Sequence, residues 1–357
     1  TKIAFKDMGI NFESNNDEII VHGSGLYGLK KPKQEINLGN SGTSIRLCSG
    51  VLSAQSFPTT LLGDESLSLR PMQRIVEPLT LMGAKILPSK DGTLPLSILP
   101  TDSLQSIEYT LPVASAQVKS CIMFAGLFAK GETKITEEVV TRNHTETMFN
   151  AFGIPVETSA SGGKKTISLS RVEAIKPANI DICGDFSSAS FFILAALISA
   201  DSEILIKNVG VNPTRIGLLH ALRHMGANIE LLNEDEAYES TADILVRSSN
   251  LKGISLNSAL VANMIDEMPA FFIAAALADG VTIVKDAKEL RTKESDRLEA
   301  MASALDAFGV KYHLNQDGIE IYGLGSQGVF KSAEINSYGD HRIAMASAIG
   351  SLRADKE

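Results

Sequence analysis

The sequence predicts an α/β protein made of two similar domains, each built from βαβαββ units. Its 357 residues, 44% of them hydrophobic and 21% charged, fit one large or two ordinary globular domains. A helix-end pattern recurs about every 75 residues, and a second series of polar helix starts lies in step between its copies. A unit of this size is too large for a solenoid repeat and too small for a domain of the usual size, so we expect the units to pack in groups of three.

Each copy of the first series is an apolar helical segment that ends at a glycine and continues as an alternating, strand-like segment. Glycine is typical of the C′ position, where a left-handed residue ends a helix. Single helix ends of this kind are common, so unrelated helices are the alternative, but a second series in step with the first argues against chance. The five copies are Met8-Gly9-Ile10, Met82-Gly83-Ala84, Phe152-Gly153-Ile154, Met225-Gly226-Ala227 and Phe308-Gly309-Val310.

Each copy of the second series is a short polar stretch that opens an apolar, alanine-rich segment. Residues of the N-capping type before such a segment predict a buried helix whose N-terminus faces something polar. The five stretches are residues 40–43, 115–117, 185–188, 266–269 and 340–342.

An arginine lies 11 to 13 residues before four of the glycines and opens the second, amphipathic helix of its unit. The predicted order within a unit is therefore buried helix, strand, basic loop, amphipathic helix and two strands. The polar stretch at residues 176–179 is the best candidate for a crossing between domains, which gives a first domain of residues 1–180 and a second of residues 181–357. Because the pattern is incomplete at both ends, we expect the natural protein to extend beyond this chain. The four arginines are Arg70, Arg142, Arg215 and Arg297.

The charge and cysteine content exclude several classes of protein. With 33 Lys and Arg against 42 Asp and Glu, the net charge of −9 argues against a broad basic surface for nucleic acid. The three cysteines lie in mostly apolar stretches without metal-ligand spacing, so we expect buried, reduced thiols and a cytoplasmic location. No run of eighteen apolar residues and no secretory signal is present, and we therefore expect no membrane partner.

Three motifs resemble binding sites but lack the context that such sites require. The GxGxxG stretches at residues 23–28 and 323–328 do not open helices, and we interpret both as loops. His220 and His224 are four residues apart on a predicted helix, without the glutamate of an HExxH motif. We therefore interpret none of these three motifs as a metal or dinucleotide site.

The strongest cluster of charges is the stretch of residues 291–297. On a helix, Lys293 and Arg297 would share one face, which costs repulsion unless an anion lies between them, while Glu294 would lie beside Arg297. A solvated charged face is the alternative for this stretch alone. In the other units, cations and predicted helix N-termini occupy equivalent positions of the repeat. This arrangement favours a pocket for more than one phosphate or carboxylate. These residues are Arg70, Arg142, Lys119 and Arg342, beside Asn40, Ser115, Gln117 and Asp266.

Two acids accompany these cations. Asp266 could be the cap of a core helix, or it could be a general base. Glu294 could donate a proton, provided that repulsion from a substrate carboxylate keeps it protonated.

Seven segments carry a resemblance to a known family, and they are residues 38–47, 63–72, 115–120, 141–146, 265–267, 293–297 and 340–342. In order through the whole chain, they resemble the 5-enolpyruvylshikimate-3-phosphate (EPSP) synthase family, the 3-phosphoshikimate 1-carboxyvinyltransferases. The sequence motifs ESLSLRPM and SAQVKS are similar to those of the bacterial class II branch of this family. The resemblance implies the enolpyruvyl transferase fold, an inside-out α/β barrel of two domains that close on substrates in a cleft.

The resemblance also implies a reaction in the shikimate pathway of aromatic amino acid and chorismate biosynthesis. The enolpyruvyl group of phosphoenolpyruvate would pass to the 5-hydroxyl of shikimate 3-phosphate, with release of phosphate and without a cofactor. Asp266 would take the hydroxyl proton, Lys293 would bridge toward it, and Glu294 would protonate the enol methylene.

The binding residues follow from the same resemblance, position by position. Shikimate 3-phosphate would contact Ser115, Ala116, Gln117, Arg142, Asp266 and Lys293. Phosphoenolpyruvate would contact Gly42, Thr43, Arg70, Gln117, Arg297 and Arg342. Asn40, Lys119 and His341 would support the site, and Glu289 receives no role.

Further expectations concern activity and inhibition. Glyphosate is expected to compete with phosphoenolpyruvate for its pocket beside the small Gly42. We also expect the enzyme to be a monomer. The family's N-terminal Lys-Ser motif and a late lysine fall outside residues 1–357, so we expect the chain by itself to be catalytically impaired.

Two alternatives stay open at this point. One is UDP-N-acetylglucosamine enolpyruvyltransferase, which carries a cysteine in the loop over its active site, whereas residues 64–70 contain none. The other is a catalytically impaired anion-binding protein of the same fold.

Overall fold

The computed structural model describes residues 1–15, 17–236 and 238–356. The chain forms two compact units, Thr1–Ile180 and Asp181–Glu357, and each contains its own hydrophobic core. Within the described ranges, no helix is long and apolar enough to cross a membrane.

Unit 1, residues Thr1–Ile180, contains a hairpin and two four-stranded sheets. The sheet orders are β1-β2, β3-β4-β6-β5 and β7-β8-β10-β9. The helices are α1 (Lys2–Asp7), α2 (Gly42–Leu52), α3 (Glu65–Ser68), α4 (Gln73–Leu81), α5 (Ala116–Gly126) and α6 (His144–Ala151). The strands are β1 (Asn11–Asn15), β2 (Glu18–His22), β3 (Ile36–Asn37), β4 (Thr59–Leu62), β5 (Lys85–Leu87), β6 (Leu96–Leu99), β7 (Glu108–Thr110), β8 (Glu132–Glu137), β9 (Glu157–Ser161) and β10 (Lys164–Ser170).

The strand directions in unit 1 confirm the predicted βαβαββ unit. In each four-stranded sheet the first pair of strands is parallel and is joined through a buried helix, α2 or α5. The remaining pairs are antiparallel, and the amphipathic helix, α4 or α6, precedes the last two strands. Parallel strands need a crossover connection, which explains why a helix lies between them.

Unit 2, residues Asp181–Glu357, contains two three-stranded sheets, ordered β11-β13-β12 and β14-β16-β15. Its helices are α7 (Phe186–Ile198), α8 (Gly217–His224), α9 (Ser258–Asn263), α10 (Met268–Ala276), α11 (Arg297–Ala307) and α12 (His341–Gly350). Its strands are β11 (Glu203–Gly210), β12 (Asn228–Glu236), β13 (Ser240–Arg247), β14 (Val281–Val284), β15 (Lys311–Leu314) and β16 (Ile319–Tyr322), and Lys288–Thr292 forms a 3₁₀ turn. Parallel bridges such as Gly184 to Val209 and Ser255 to Ile283 stand where the first strand of a unit is expected.

The five glycines predicted to end helices all have left-handed backbones, which confirms that prediction. Since glycine has no Cβ, it adopts positive φ angles without the steric cost that other residues incur. The φ angles are +89° at Gly9, +91° at Gly83, +72° at Gly153, +94° at Gly226 and +77° at Gly309, after α1, α4, α6, α8 and α11.

The second series of helix starts is also confirmed, since buried helices begin within or directly after each polar stretch. All nine residues of α10 are buried, and α7 and α12 pack against this helix. In unit 1, α2 packs on α5 so closely that a Cβ on Gly50 would lie 2.2 Å from the Cys121 carbonyl oxygen. The apolar character of these segments thus places them in the core of each unit.

One cysteine differs from the prediction. Cys48 and Cys121 are buried, and burial raises the pKa of the Cys48 thiol to about 11, but Cys183 is half-buried. Phe330, just after the second GxGxxG stretch, forms a single bridge to Ala354. Both GxGxxG stretches lie in loops, as predicted.

Candidate functional site

The N-termini of the two central helices of unit 1 lie side by side. Ser41 caps α2 and Ser115 caps α5, each through its hydroxyl oxygen. Gln117, in the first turn of α5, donates from Nε2 to Thr43 Oγ1, in the first turn of α2, at 2.8 Å. Helix N-termini carry partial positive charge, so this edge of unit 1 favours an anion.

Two arginines lie at the same edge. A Cβ on Gly42 would be 3.1 Å from Arg46 Nη1 and 3.2 Å from Arg70 Nη1, so only a residue without a side chain fits between them without displacement. Arg46 donates to Gln117 Oε1, and Arg70 donates to Asn40 Oδ1 at 2.6 Å. Arg46 is not among the residues predicted from sequence, although its position four residues after Gly42 on a predicted helix puts both on one face.

Lys119 does not belong to this group of cations. Its ammonium is fully buried, 3.2 Å from Glu137 Oε2 and 2.8 Å from Glu146 Oε1. The structure thus corrects the expectation that Lys119 meets a small anion, because two carboxylates inside unit 1 already pair with it.

Arg142 lies in the loop between β8 and α6, and the buried Glu137 anchors this loop. Glu137 Oε1 accepts hydrogen bonds from the backbone N–H of Thr141, at 3.2 Å, and from the Thr141 hydroxyl. Because Glu137 also pairs with Lys119 on α5, the loop that carries Arg142 is tied to the helix that begins at Ser115 and Ala116.

In unit 2 the N-termini of α7, α10 and α12 come together. Asp185 caps α7 and Asp340 caps α12 through their carboxylates, and Asp340 Oδ1 accepts from the Arg342 backbone N–H at 2.9 Å. The N-cap position of α10 belongs to Glu267 and not to Asp266. The cap alternative for Asp266 is therefore wrong, and its side chain, 21% exposed, pairs with Arg297.

A buried guanidinium joins three carboxylates in this unit. Arg297, whose side chain is 1% exposed, donates from Nε to Asp340 Oδ2 at 2.8 Å, from Nη2 to Glu294 Oε2 at 2.6 Å and from Nη1 to Asp266 Oδ1 at 3.4 Å. Burial by itself would raise the pKa of Asp340, but the hydrogen bond and charge of Arg297 lower it. The structure thus brings together the two acids that the sequence analysis proposed for proton transfer, Asp266 and Glu294.

The stretch from Lys293 to Arg297 is not a continuous helix, so the prediction that these two residues share a helix face is wrong. Lys293 has extended backbone angles, φ −88° and ψ −151°, and Asp296 is the extended N-cap of α11. An N-cap residue has non-helical angles, so α11 begins at Arg297. The predicted pairing of Glu294 with Arg297 is confirmed, while Lys293 Nζ lies 4.0 Å from Glu289 Oε1.

Glu267, which is not among the predicted site residues, is fully buried in unit 2. Its Oε2 accepts from Arg215 Nη1 at 2.6 Å, and its Oε1 accepts from the Ser187 hydroxyl. Arg342, 17% exposed, donates from Nη1 to Ser187 Oγ at 2.8 Å and to the Asp266 carbonyl oxygen at 3.0 Å. The neighbouring His341 is exposed at the start of α12.

A metal site is not visible in the part of the chain that the structure describes. No group of three or more His, Cys, Asp or Glu side chains is placed there to hold an ion. His220 lies on α8, where burial and then the charge of Arg223 lower its pKa.

These arrangements support two kinds of chemistry. Helix N-termini with nearby guanidinium groups bind phosphates and carboxylates in both units. Carboxylates held beside an arginine, as in unit 2, can accept or donate protons to a bound reactant.

Comparison with known proteins identifies the family of the chain. The family model for EPSP synthase (3-phosphoshikimate 1-carboxyvinyltransferase) matches residues 1–357. The 3-phosphoshikimate 1-carboxyvinyltransferase of Hydrogenovibrio crunogenus is 47% identical over 357 residues, which cover 99% of this chain and 80% of that protein. That of Legionella pneumophila strain Lens is 49% identical and covers 97% of this chain and 78% of its own length.

Solved structures show the same relationship. The EPSP synthase from Acinetobacter baumannii matches with a TM-score of 0.85 and 46% identity, over 99% of this chain and 80% of that one. The enolpyruvyl transferase NikO from Streptomyces tendae matches with a TM-score of 0.72, over 99% of this chain and 79% of that one; at 14% identity it shows the fold alone. The predicted fold class and family are confirmed, and UDP-N-acetylglucosamine enolpyruvyltransferase is not favoured. The chain belongs to the EPSP synthase (3-phosphoshikimate 1-carboxyvinyltransferase) family.

Proposed function

We propose that this chain transfers the enolpyruvyl group of phosphoenolpyruvate to the 5-hydroxyl of shikimate 3-phosphate and releases phosphate. Besides the family membership, one observation carries this proposal: Arg297 holds Asp266 and Glu294, two potential proton carriers, in one cluster. The reaction needs both a base for the hydroxyl and an acid for the enol carbon.

In unit 2, Glu294 adds a proton to the methylene carbon of phosphoenolpyruvate while Asp266 accepts the proton of the attacking hydroxyl. The new carbon–oxygen bond gives a tetrahedral intermediate. Glu294 then removes a methyl proton as the carbon–oxygen bond to phosphate breaks, which forms the carbon–carbon double bond of the enol ether. The proton that Asp266 accepted passes to the released phosphate, so that both acids return to their starting states. Lys293, Arg297 and Arg342 supply cations that are in place before charge develops, as electrostatic stabilisation requires.

In unit 1, the paired helix N-termini and the arginines beside Gly42 support binding roles. Ser115, Ala116, Gln117 and Arg142 hold shikimate 3-phosphate, together with Asp266 and Lys293 of unit 2. Gly42, Thr43, Arg70 and Gln117 hold phosphoenolpyruvate, together with Arg297 and Arg342. Asn40 supports this set through its hydrogen bond with Arg70, and His341 supports it beside Arg342.

Phosphate release tests the proposal directly. The full-length protein is mixed with shikimate 3-phosphate and phosphoenolpyruvate, and inorganic phosphate is measured over time. We expect release that requires both substrates and that stops when UDP-N-acetylglucosamine replaces shikimate 3-phosphate. Binding of both substrates without release would favour the anion-binding alternative, and release with UDP-N-acetylglucosamine would contradict the proposed acceptor.

Glyphosate is part of the same proposal, as a competitor of phosphoenolpyruvate. Gly42 leaves open the space beside Arg46 and Arg70 that a methyl group would fill. In the phosphate-release assay, glyphosate is expected to raise the apparent KM for phosphoenolpyruvate without changing the maximal rate. A fall in the maximal rate at constant KM would argue against competition at this pocket.

The organisation of the protein completes the proposal. Each compact unit corresponds to one of two similar domains, residues 1–180 and 181–357. The enzyme acts as a monomer in the cytoplasm, where its three cysteines remain free thiols.

A further inference from the structure

The hydroxyl of Ser187 lies where three charged side chains of unit 2 meet. It donates its proton to Glu267 Oε1 and accepts hydrogen bonds from Arg215 Nη2 and from Arg342 Nη1. A serine hydroxyl has one proton and two acceptor lone pairs, so these three partners use its full capacity. The hydroxyl therefore connects the buried carboxylate to Arg342.

Glu267 requires these partners because a buried carboxylate without compensation is strongly unfavourable. Arg215 Nη1 lies 2.6 Å from Glu267 Oε2, which satisfies one oxygen, and Ser187 satisfies the other. Arg342 Nη1 is 3.8 Å from Glu267 Oε1, too long for a hydrogen bond but close enough for attraction. The carboxylate thus holds Arg215 directly and Arg342 mainly through the hydroxyl.

Arg342 is fixed at one end of its guanidinium. Among the residues that the structure describes, its side-chain hydrogen bonds both leave from Nη1, to Ser187 Oγ and to the Asp266 carbonyl oxygen. This leaves Nε and Nη2 to meet a substrate anion. A free arginine side chain loses rotamer entropy when it binds an anion, and fixing it beforehand reduces that cost.

We propose that Ser187 and Glu267 are positioning residues that orient Arg342 toward the carboxylate or phosphate of phosphoenolpyruvate. This inference rests on the proposed function, since it assigns Arg342 to that substrate. The competing explanation is that the cluster only holds together the N-termini of α7, α10 and α12. Such a role would affect folding stability but would not distinguish between the two substrates.

Ser187→Ala and Ser190→Ala separate the two explanations. Ser190 lies on the same helix and is equally buried, but its hydroxyl donates to the Ser187 carbonyl oxygen and does not contact Arg342. For Ser187→Ala we expect the KM for phosphoenolpyruvate to rise about tenfold to a hundredfold, as for a lost hydrogen bond to a charged group, with an unchanged KM for shikimate 3-phosphate. Ser190→Ala should leave both KM values unchanged.

Glu267→Gln provides a second variant that keeps the volume of the side chain and removes its charge. We expect its KM for phosphoenolpyruvate to change in the same direction as in Ser187→Ala. Unchanged KM values in both variants, or equal increases for both substrates, would overturn the inference.

Crystal structures of the wild type and of Ser187→Ala test the inference without turnover. We expect the Arg342 guanidinium to leave its place beside the Asp266 carbonyl oxygen when the Ser187 hydroxyl is removed. If the wild type releases no phosphate, the proposed function fails, and this displacement together with weaker calorimetric binding of phosphoenolpyruvate would still support the positioning role. An unmoved Arg342 with unchanged binding would contradict it.

Discussion

Asp266→Asn is expected to lower turnover by about 10²- to 10⁴-fold, the usual contribution of a general base, while shikimate 3-phosphate still binds. The asparagine amide has nearly the same shape and keeps an oxygen that can accept from Arg297 Nη1, but it cannot take the proton of the attacking hydroxyl. Binding of an anionic substrate should not weaken, because the variant removes a negative charge. Phosphate release measures turnover, and isothermal titration calorimetry measures binding.

Asp306→Asn is a suitable control for this variant. Asp306 is exposed on α11, the helix that Arg297 opens, and the structure gives it no role in the cluster. We expect wild-type turnover from the control. Turnover close to wild type in Asp266→Asn would remove Asp266 from the mechanism, whereas loss of shikimate 3-phosphate binding would make its role structural.

Lys119→Met is expected to cost about 3–5 kcal/mol of the free energy of unfolding, the usual result of removing one partner from a buried ion cluster. The variant leaves Glu137 and Glu146 buried without the ammonium that pairs with both. Lys165 Nζ lies 3.9 Å from Glu146 Oε1 and remains in the variant. Urea unfolding at constant pH, with the slope compared between variants, measures the loss.

Lys134→Met is the matched control, because Lys134 also pairs with two carboxylates, those of Glu108 and Glu132, but is 40% exposed. Exposed ion pairs contribute little, so this variant should unfold close to the wild type. Adding Glu146→Gln to Lys119→Met should recover part of the loss by removing one uncompensated charge. Equal midpoints for the two lysine variants would show that the buried cluster adds no net stability.

Much of the fold could be predicted because its signals are local. The residue at a C′ position must tolerate a left-handed backbone, so Gly83 and Gly226 mark helix ends without knowledge of any other segment. In the same way, Ser115 and Asp185 mark the starts of buried helices, since a capping side chain bonds to its own helix. Their regular recurrence then predicts the βαβαββ unit.

The candidate site was less predictable where a side chain's role depends on its partners. In the sequence, Lys119 and Arg142 are both cations near the start of a predicted helix. In the structure, Lys119 is buried because it pairs with Glu137 and Glu146, which lie in later segments of the chain. The charge pattern around Lys293 predicts a helix, but Asp296 caps α11, so the helix begins only at Arg297 and does not include Lys293. The burial of Glu267 could not be predicted, because nothing in the sequence distinguishes it from an exposed acid beside Asp266.

The sequence by itself determined the family, the repeating unit and the residue types that can carry the chemistry, since backbone conformation and hydrophobic periodicity depend on near neighbours. Only the tertiary structure decided which charges face each other. Arg297 meets Asp340 from 43 residues away, and Arg342 meets Ser187 from 155 residues away. Electrostatic interactions depend on distance in space and on burial, and neither follows from position along the chain.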